Sequence, residues 1–212
     1  GRSNACQARQ AIGYQYDGGF AEYVRIPAAF LEHGNVFRLP ETVSFETGAL
    51  LEPLACCLRG QRNAGVSFLD TVLIVGAGPI GLMHLQLSLA AGARCVIVSE
   101  INGMRREKAQ TLGAHMVIDP EREDLTERVR EATGAPAIVN GLLGIVRKGG
   151  TACLFAGFAG KGTCSIDANI IHYNEIHVCG STAYTRQDYR DAAALAIGGK
   201  IDLESLATHC FP

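Results

Sequence analysis

The sequence predicts an α/β fold, a doubly wound Rossmann-type parallel sheet with helices on both faces. Three observations carry that prediction. The first is TVLIVGAGPIGLMHLQLSLAAGARCVIVSE at residues 71–100, where two β-branched runs flank a glycine-rich turn and a stretch of helix-forming residues. The second is the alternation of strand and helix patterns that follows it, the order that buries a parallel sheet between helical layers. The third is composition: 212 residues, 48% hydrophobic and 19% charged, supply a large buried core.

In chain order, residues 1–17 are polar, and Gly18-Gly19 leads into FAEYVRI at 20–26, whose alternation predicts a half-buried strand. Pro27 and Pro40 punctuate the next segment, with a short strand expected at 36–39. From Ser44 the pattern turns helical, because Ala49, Leu50, Pro53, Leu54 and Cys57 recur at three- and four-residue spacings, and a domain boundary is expected there. Strands follow at 72–75, 95–98 and 115–118, with helices at 82–91 and 105–112. Charged and amphipathic helices are expected at 121–133 and 136–147, then strands at 151–156 and 176–179 and a last helix at 188–197. One junction breaks the alternation. The helices at 121–133 and 136–147 meet across Gly134-Ala135 with no strand between them, and a doubly wound sheet needs one there. We therefore expect that residues 134 and 135 are not bonded neighbours and that the sequence closes over a missing strand.

The glycine turn has a chemical reading. Gly76 permits the tight turn out of the strand, Gly78 lets backbone approach a pyrophosphate, and Gly81 lets the helix pack closely on the sheet. Pro79 has no N–H to lose at a helix start. The helix's first N–H groups and positive dipole end then face phosphates. Glu100, nineteen residues beyond Gly81, ends the second strand, where a carboxylate accepts hydrogen bonds from an adenosine ribose. Methyltransferases and plain βα turns carry similar glycines, so the turn alone leaves those alternatives open.

Composition excludes other classes. A net charge of −2 and the lack of a basic run give no attraction to nucleic acid or anionic lipid. No apolar stretch reaches spanning length and no leader pattern is seen, so no membrane association and a cytoplasmic location are expected. Eight cysteines lie mostly within apolar runs without a C-x-x-C pair, and read as buried reduced thiols, with metal binding by one or two as the alternative. None of the six histidines makes an H-x-x-x-H or H-E-x-x-H pair.

Several stretches together resemble the zinc-dependent medium-chain dehydrogenases, most closely the polyol (sorbitol-like) and threonine dehydrogenase branch of the alcohol dehydrogenase superfamily. They are GRSNAC at 1–6, DGGFAEYV at 17–24, LLEPLA at 50–55, VGAGPIG at 75–81, VRKGG at 146–150 and the run from GSTAYTRQDY to ATHCFP. The resemblance implies that residues 1–44 are a remnant of a mostly β, GroES-like catalytic domain, that 45–185 form the NAD-binding domain, and that 186–212 return to the catalytic domain. It implies hydride transfer between an alcohol or polyol CH–OH group and NAD, with zinc assistance, in a homo-oligomer. Ile80 and the three glycines would then lie along the pyrophosphate, and Glu100 with Arg105 at the adenosine ribose. Phe155, Ala156, Gly157, Ser181 and Thr182 would lie toward the nicotinamide.

The resemblance is incomplete in its metal chemistry. Cys6 matches the fourth ligand of the family's structural zinc, but the three closely spaced cysteines that accompany it are missing. Glu52 matches a glutamate at or near the catalytic zinc, while the cysteine and the Gly-His-Glu motif supplying the other ligands are missing too. Read without the family, Glu52 is one of twenty-one acidic residues, solvated or capping. The rival to the enzyme reading is a non-catalytic dinucleotide-binding module, or an inactive fragment of such an enzyme.

Overall fold

The computed structural model describes residue 8 and residues 10–133, 142–155 and 165–209. Helix α1 is a short piece, Ala28–Glu32, and α2 is the long Phe45–Ala64. The β-branched run Thr71–Val75 forms β1, followed by α3 (Pro79–Ala90), β2 (Cys95–Ser99), α4 (Gly103–Thr111), β3 (Met116–Ile118) and α5 (Leu125–Thr133). A 3-10 turn at Leu142–Ile145 precedes β4 (Thr151–Leu154), α6 (Ala168–Asn174), β5 (His177–Gly180) and α7 (Arg186–Ile197).

The ends of the helices follow local chemistry. Ser44 caps α2 by accepting from the Thr47 N–H at 3.2 Å, and Gly65 closes it in the left-handed region at φ 70°. Thr185 and Asp188 cap α7 reciprocally, each side chain bonding the other's backbone N–H. Pro53 lies within α2, which nonetheless continues through it.

All strand pairs in the sheets are parallel. β2 lies between β1 and β3, with Ile74 opposite Val98 and Ser99 opposite Ile118. Alternate side chains go to opposite faces, as a pleated strand requires. Ile74, Val96 and Val98 join α2, α3, α4 and α7 in the main core, together with Ile201, Leu203 and Leu206. Ile97 and Ile118 face the other way, onto Val129 and Leu125 of α5. Helices on both faces make the sheet doubly wound.

β4 and β5 pair with each other but not with β1, so the described strands form two separate sheets. An unbroken sheet would continue from β1 into a neighbour before reaching β4. The Gly134–Ala135 junction, where that strand was expected, lies outside the described residues, as does the first half of the helix expected at 136–147; its second half is a 3-10 turn at Leu142–Ile145 followed by irregular chain, not an α-helix.

Two expected strands are absent from the structure. Residues 20–26 and 36–39 are irregular, with Phe20 and Tyr23 almost wholly exposed. Alternation prepares a segment for a sheet but cannot supply the partner that satisfies its N–H and C=O groups, and no described strand lies alongside. The charged helix starts at Leu125 rather than at residue 121, because Asp119 and Asp124 cap turns ahead of it by accepting from Glu121 N–H and Glu127 N–H. α1 and α6 were not expected from the sequence.

Candidate cofactor site

β1 delivers the chain into the turn that precedes α3. Gly76 sits at φ +98°, a conformation that a side chain strains, and its N–H donates to the Ser99 carbonyl at 2.8 Å, tying the turn to β2. A β-carbon added at Gly81 would overlap the Gly76 carbonyl oxygen and lie 2.9 Å from its carbon, so the turn closes only over a residue without one. Open space surrounds the positions of β-carbons at Gly76 and Gly78. Gly78 is the N-cap of α3 and Pro79 its first residue, and no side chain caps the helix. The N–H groups of its first turn are therefore left to an external acceptor. Ile80 is part-exposed on that turn, and its carbonyl accepts from the Cys57 thiol of α2.

Glu100 lies at the carboxyl end of β2 and is 6% exposed. Its Oε2 accepts from Ala77 N–H, inside the glycine turn, at 2.7 Å, and its Oε1 from Asn102 N–H at 2.8 Å. Burial alone would raise this carboxyl, but those two N–H donors and the Arg105 charge outweigh it and hold the group below its ordinary range. Glu100 thus carries its charge at neutral pH while fixing the glycine turn. Arg105 is exposed on α4. Arg106 donates to the carbonyls of Glu100 and Ile101 and pairs with Asp119 at 2.9 Å.

At the far end, Phe155 follows β4 and Ser181 follows β5. The Phe155 ring turns inward, meeting the His84 ring edge-on at 4.6 Å and filling the space above Gly60, whose β-carbon would come within 2.8 Å of it. Only its backbone therefore faces the strand ends. Ala156 and Gly157 lie outside the described residues. Ser181 N–H donates to the Leu154 carbonyl, while its hydroxyl is buried with no partner among the described residues. Such an orphan, beside the carboxyl ends of parallel strands, suits a ligand's polar group.

Of the two expected metal residues, only Glu52 lies within the described residues. Glu52 lies on the exposed side of α2, where Oε1 accepts from the Cys56 thiol one turn on at 3.7 Å. Cys6 lies outside the described residues. Among the described residues no three His, Cys, Asp or Glu side chains converge on a metal position, so they do not fit zinc. Five described cysteines are free thiols; Cys57 is buried and the other four half-buried.

A parallel sheet wound on both faces, with a glycine turn opening a helix and a carboxylate closing the next strand, defines a protein of the Rossmann class, the architecture that dinucleotide-binding domains share. The profile of the zinc-binding dehydrogenase family matches residues 79–197, and the chain belongs to that family. L-galactonate-5-dehydrogenase of Escherichia coli K12 is 32% identical over an alignment covering 100% of this chain and 63% of the relative. That alignment runs over 225 positions against the 212 residues present here, so the relative carries residues within the matched span that this chain lacks. A structure from Sinorhizobium meliloti 1021 with NADP bound superposes with a TM-score of 0.84 at 32% identity, covering 95% of this chain and 61% of that one. A short chain alcohol dehydrogenase of Escherichia coli CFT073 complexed with NADH gives 0.86 at 26% identity, covering 98% and 63%. This chain therefore spans about three-fifths of the length of these relatives. Among the described residues no helix is long and apolar enough to cross a membrane.

Proposed function

We propose that the protein is an NAD-dependent oxidoreductase acting on the CH–OH group of an alcohol or polyol. The observation that supports this reading is the coupling of Glu100 to the glycine turn through Ala77 N–H, with a charged carboxylate beside the uncapped start of α3. In this reading Gly76, Gly78, Ile80 and Gly81 line the pyrophosphate, and Glu100 with Arg105 meets the adenosine ribose. The backbone at Phe155 to Gly157 and the side chains of Ser181 and Thr182 meet the nicotinamide. Bound NAD supplies the hydride acceptor. The chain's own residues bind and orient it: N–H groups of α3 offset phosphate charge, and the orphan Ser181 hydroxyl offers a hydrogen bond at the strand ends.

Zinc assistance belongs to the proposal through the family relationship, with Glu52 and Cys6 as the matching positions. No catalytic step is assigned to it, because the described donors do not form a site. The proposal also divides the chain into catalytic remnants at 1–44 and 186–212 around a coenzyme domain at 45–185. It places the protein in the cytoplasm, as a homo-oligomer joined at the open edge of β5. The exposed, unassembled position of Glu52 favours the second reading, a module that binds the dinucleotide without turnover. Assaying NAD reduction on a panel of alcohols and polyols, with metal analysis of the same sample, separates them. Turnover with bound metal supports the enzyme, and NADH binding without either supports the module.

A further inference from the structure

Cys153 of β4 and Cys179 of β5 stand directly opposite each other in the parallel register, on neighbouring strands. Their side chains therefore share one face of the sheet, one strand spacing apart. The Cys153 thiol also reaches the Gly60 carbonyl of α2 at 3.9 Å, which fixes the direction in which the pair points. Both residues are half-buried free thiols, and among the described strands nothing covers the second edge of β4. The other described cysteines do not reproduce this arrangement. Cys56 and Cys57 are consecutive on a helix, with Cys57 turned into the core, and Cys95 has no cysteine in register.

The spacing selects the chemistry. Adjacent strands lie about 4.8 Å apart, and in-register Cα–Cβ bonds run nearly parallel, so the β-carbons stay near that separation. A direct disulfide favours β-carbons about 3.8 Å apart. One soft atom inserted between the sulfurs spans the longer gap without moving the strands, and thiolates prefer soft partners. We propose that Cys153 and Cys179 form a two-sulfur modification site for trivalent arsenicals. The reaction with an organoarsenic oxide is a condensation. The As–O bonds and both S–H bonds break, two As–S bonds form, and the oxygen leaves with both protons as water, so that nothing is oxidised or reduced. Burial, and then the neighbouring sulfur, push the Cys153 thiol up to about 12, which slows single-site alkylation; the two As–S bonds closed on one arsenic are what hold the two-point adduct.

The test uses phenylarsine oxide on the purified full chain, read by intact mass and by peptide mapping. The expected result is an adduct of one phenylarsenic group joining the peptides of Cys153 and Cys179. It should be reversed by a dithiol but not by a monothiol, kept by Cys56→Ser and lost in both Cys153→Ser and Cys179→Ser. Peptide mapping of the unsubstituted protein decides the matter even where a serine variant fails to fold. No adduct, or an adduct on other cysteines, overturns the proposal.

Discussion

Gly81 packs so closely on Gly76 that a β-carbon at Gly81 would overlap the Gly76 carbonyl oxygen. The contact joins the first turn of α3 to the end of β1 and sets the shape of the proposed phosphate site. Gly81→Ala must open the turn. We expect a loss of about 1–3 kcal/mol in denaturant unfolding, the range for overpacking, together with loss of NADH binding. Wild-type stability in this variant would contradict the packing argument.

Asp188 anchors α7 to α2. It is 2% exposed, pairs with Arg62 at 2.6 Å and Arg59 at 3.3 Å, and accepts from the Thr185 N–H and hydroxyl. Burial would raise its carboxyl, but Thr185 and the two guanidiniums outweigh this and lower it. Removing the carboxylate charge strands Arg59, while half-exposed Arg62 can turn to water. For Asp188→Asn we expect about 2–4 kcal/mol of destabilisation by chemical denaturation, somewhat below the cost of breaking a fully buried pair.

The pH dependence should show two windows. Burial lowers His84 from 6.5 to about 4, so the unfolded chain binds a proton that the folded one refuses between those values. Its contribution is complete above the unfolded value and is lost as pH falls toward about 4. Asp188, also lowered in the fold, contributes above the ordinary aspartate value, and that contribution is lost as pH falls further through its folded value. Melting curves from pH 8 to 3 should therefore fall in two stages, and His84→Gln should flatten the upper one.

The sequence was most legible where structure is local. VLIVGAGPIG dictates strand, turn and helix from adjacent residues, and the resulting β1 and α3 match the expected elements to within a few positions. FAEYVRI has an equally clear pattern and forms no strand, because a ladder depends on a partner elsewhere in the chain. α1 and α6, five and seven residues long, are too short to show helical periodicity. At the site, Glu100 was visible as a residue type at a spacing, but its bond to Ala77 N–H was not. The inward turn of Phe155 against Gly60 and His84 and the orphan hydroxyl of Ser181 arise from contacts between distant segments, which no local pattern records.

The divided sheet should be visible in hydrogen exchange. β2 is paired on both sides, whereas β1 and β4 each have one described neighbour. Outward-facing amides of β1 and β4 should exchange far faster than those of β2. Uniformly slow exchange across all three would mean that a further strand fills the gap.

The central claim is that this chain binds a dinucleotide at the glycine turn and prefers NAD. Glu100 is ionised and buried beside the turn, and Arg106 is committed to Asp119 and two carbonyls, leaving the carboxylate to oppose a 2′-phosphate. A unit charge about 4 Å away at an effective dielectric near 20 is repelled by several kcal/mol. Part of that is offset by Arg105. The most direct measurement is a fluorescence titration of the purified chain with NADH and with NADPH. The account predicts saturable binding of NADH at least about tenfold tighter, the ratio given by about 1.4 kcal/mol. Equal affinity for the two would contradict the role of Glu100, and no saturable binding of either would contradict the site itself.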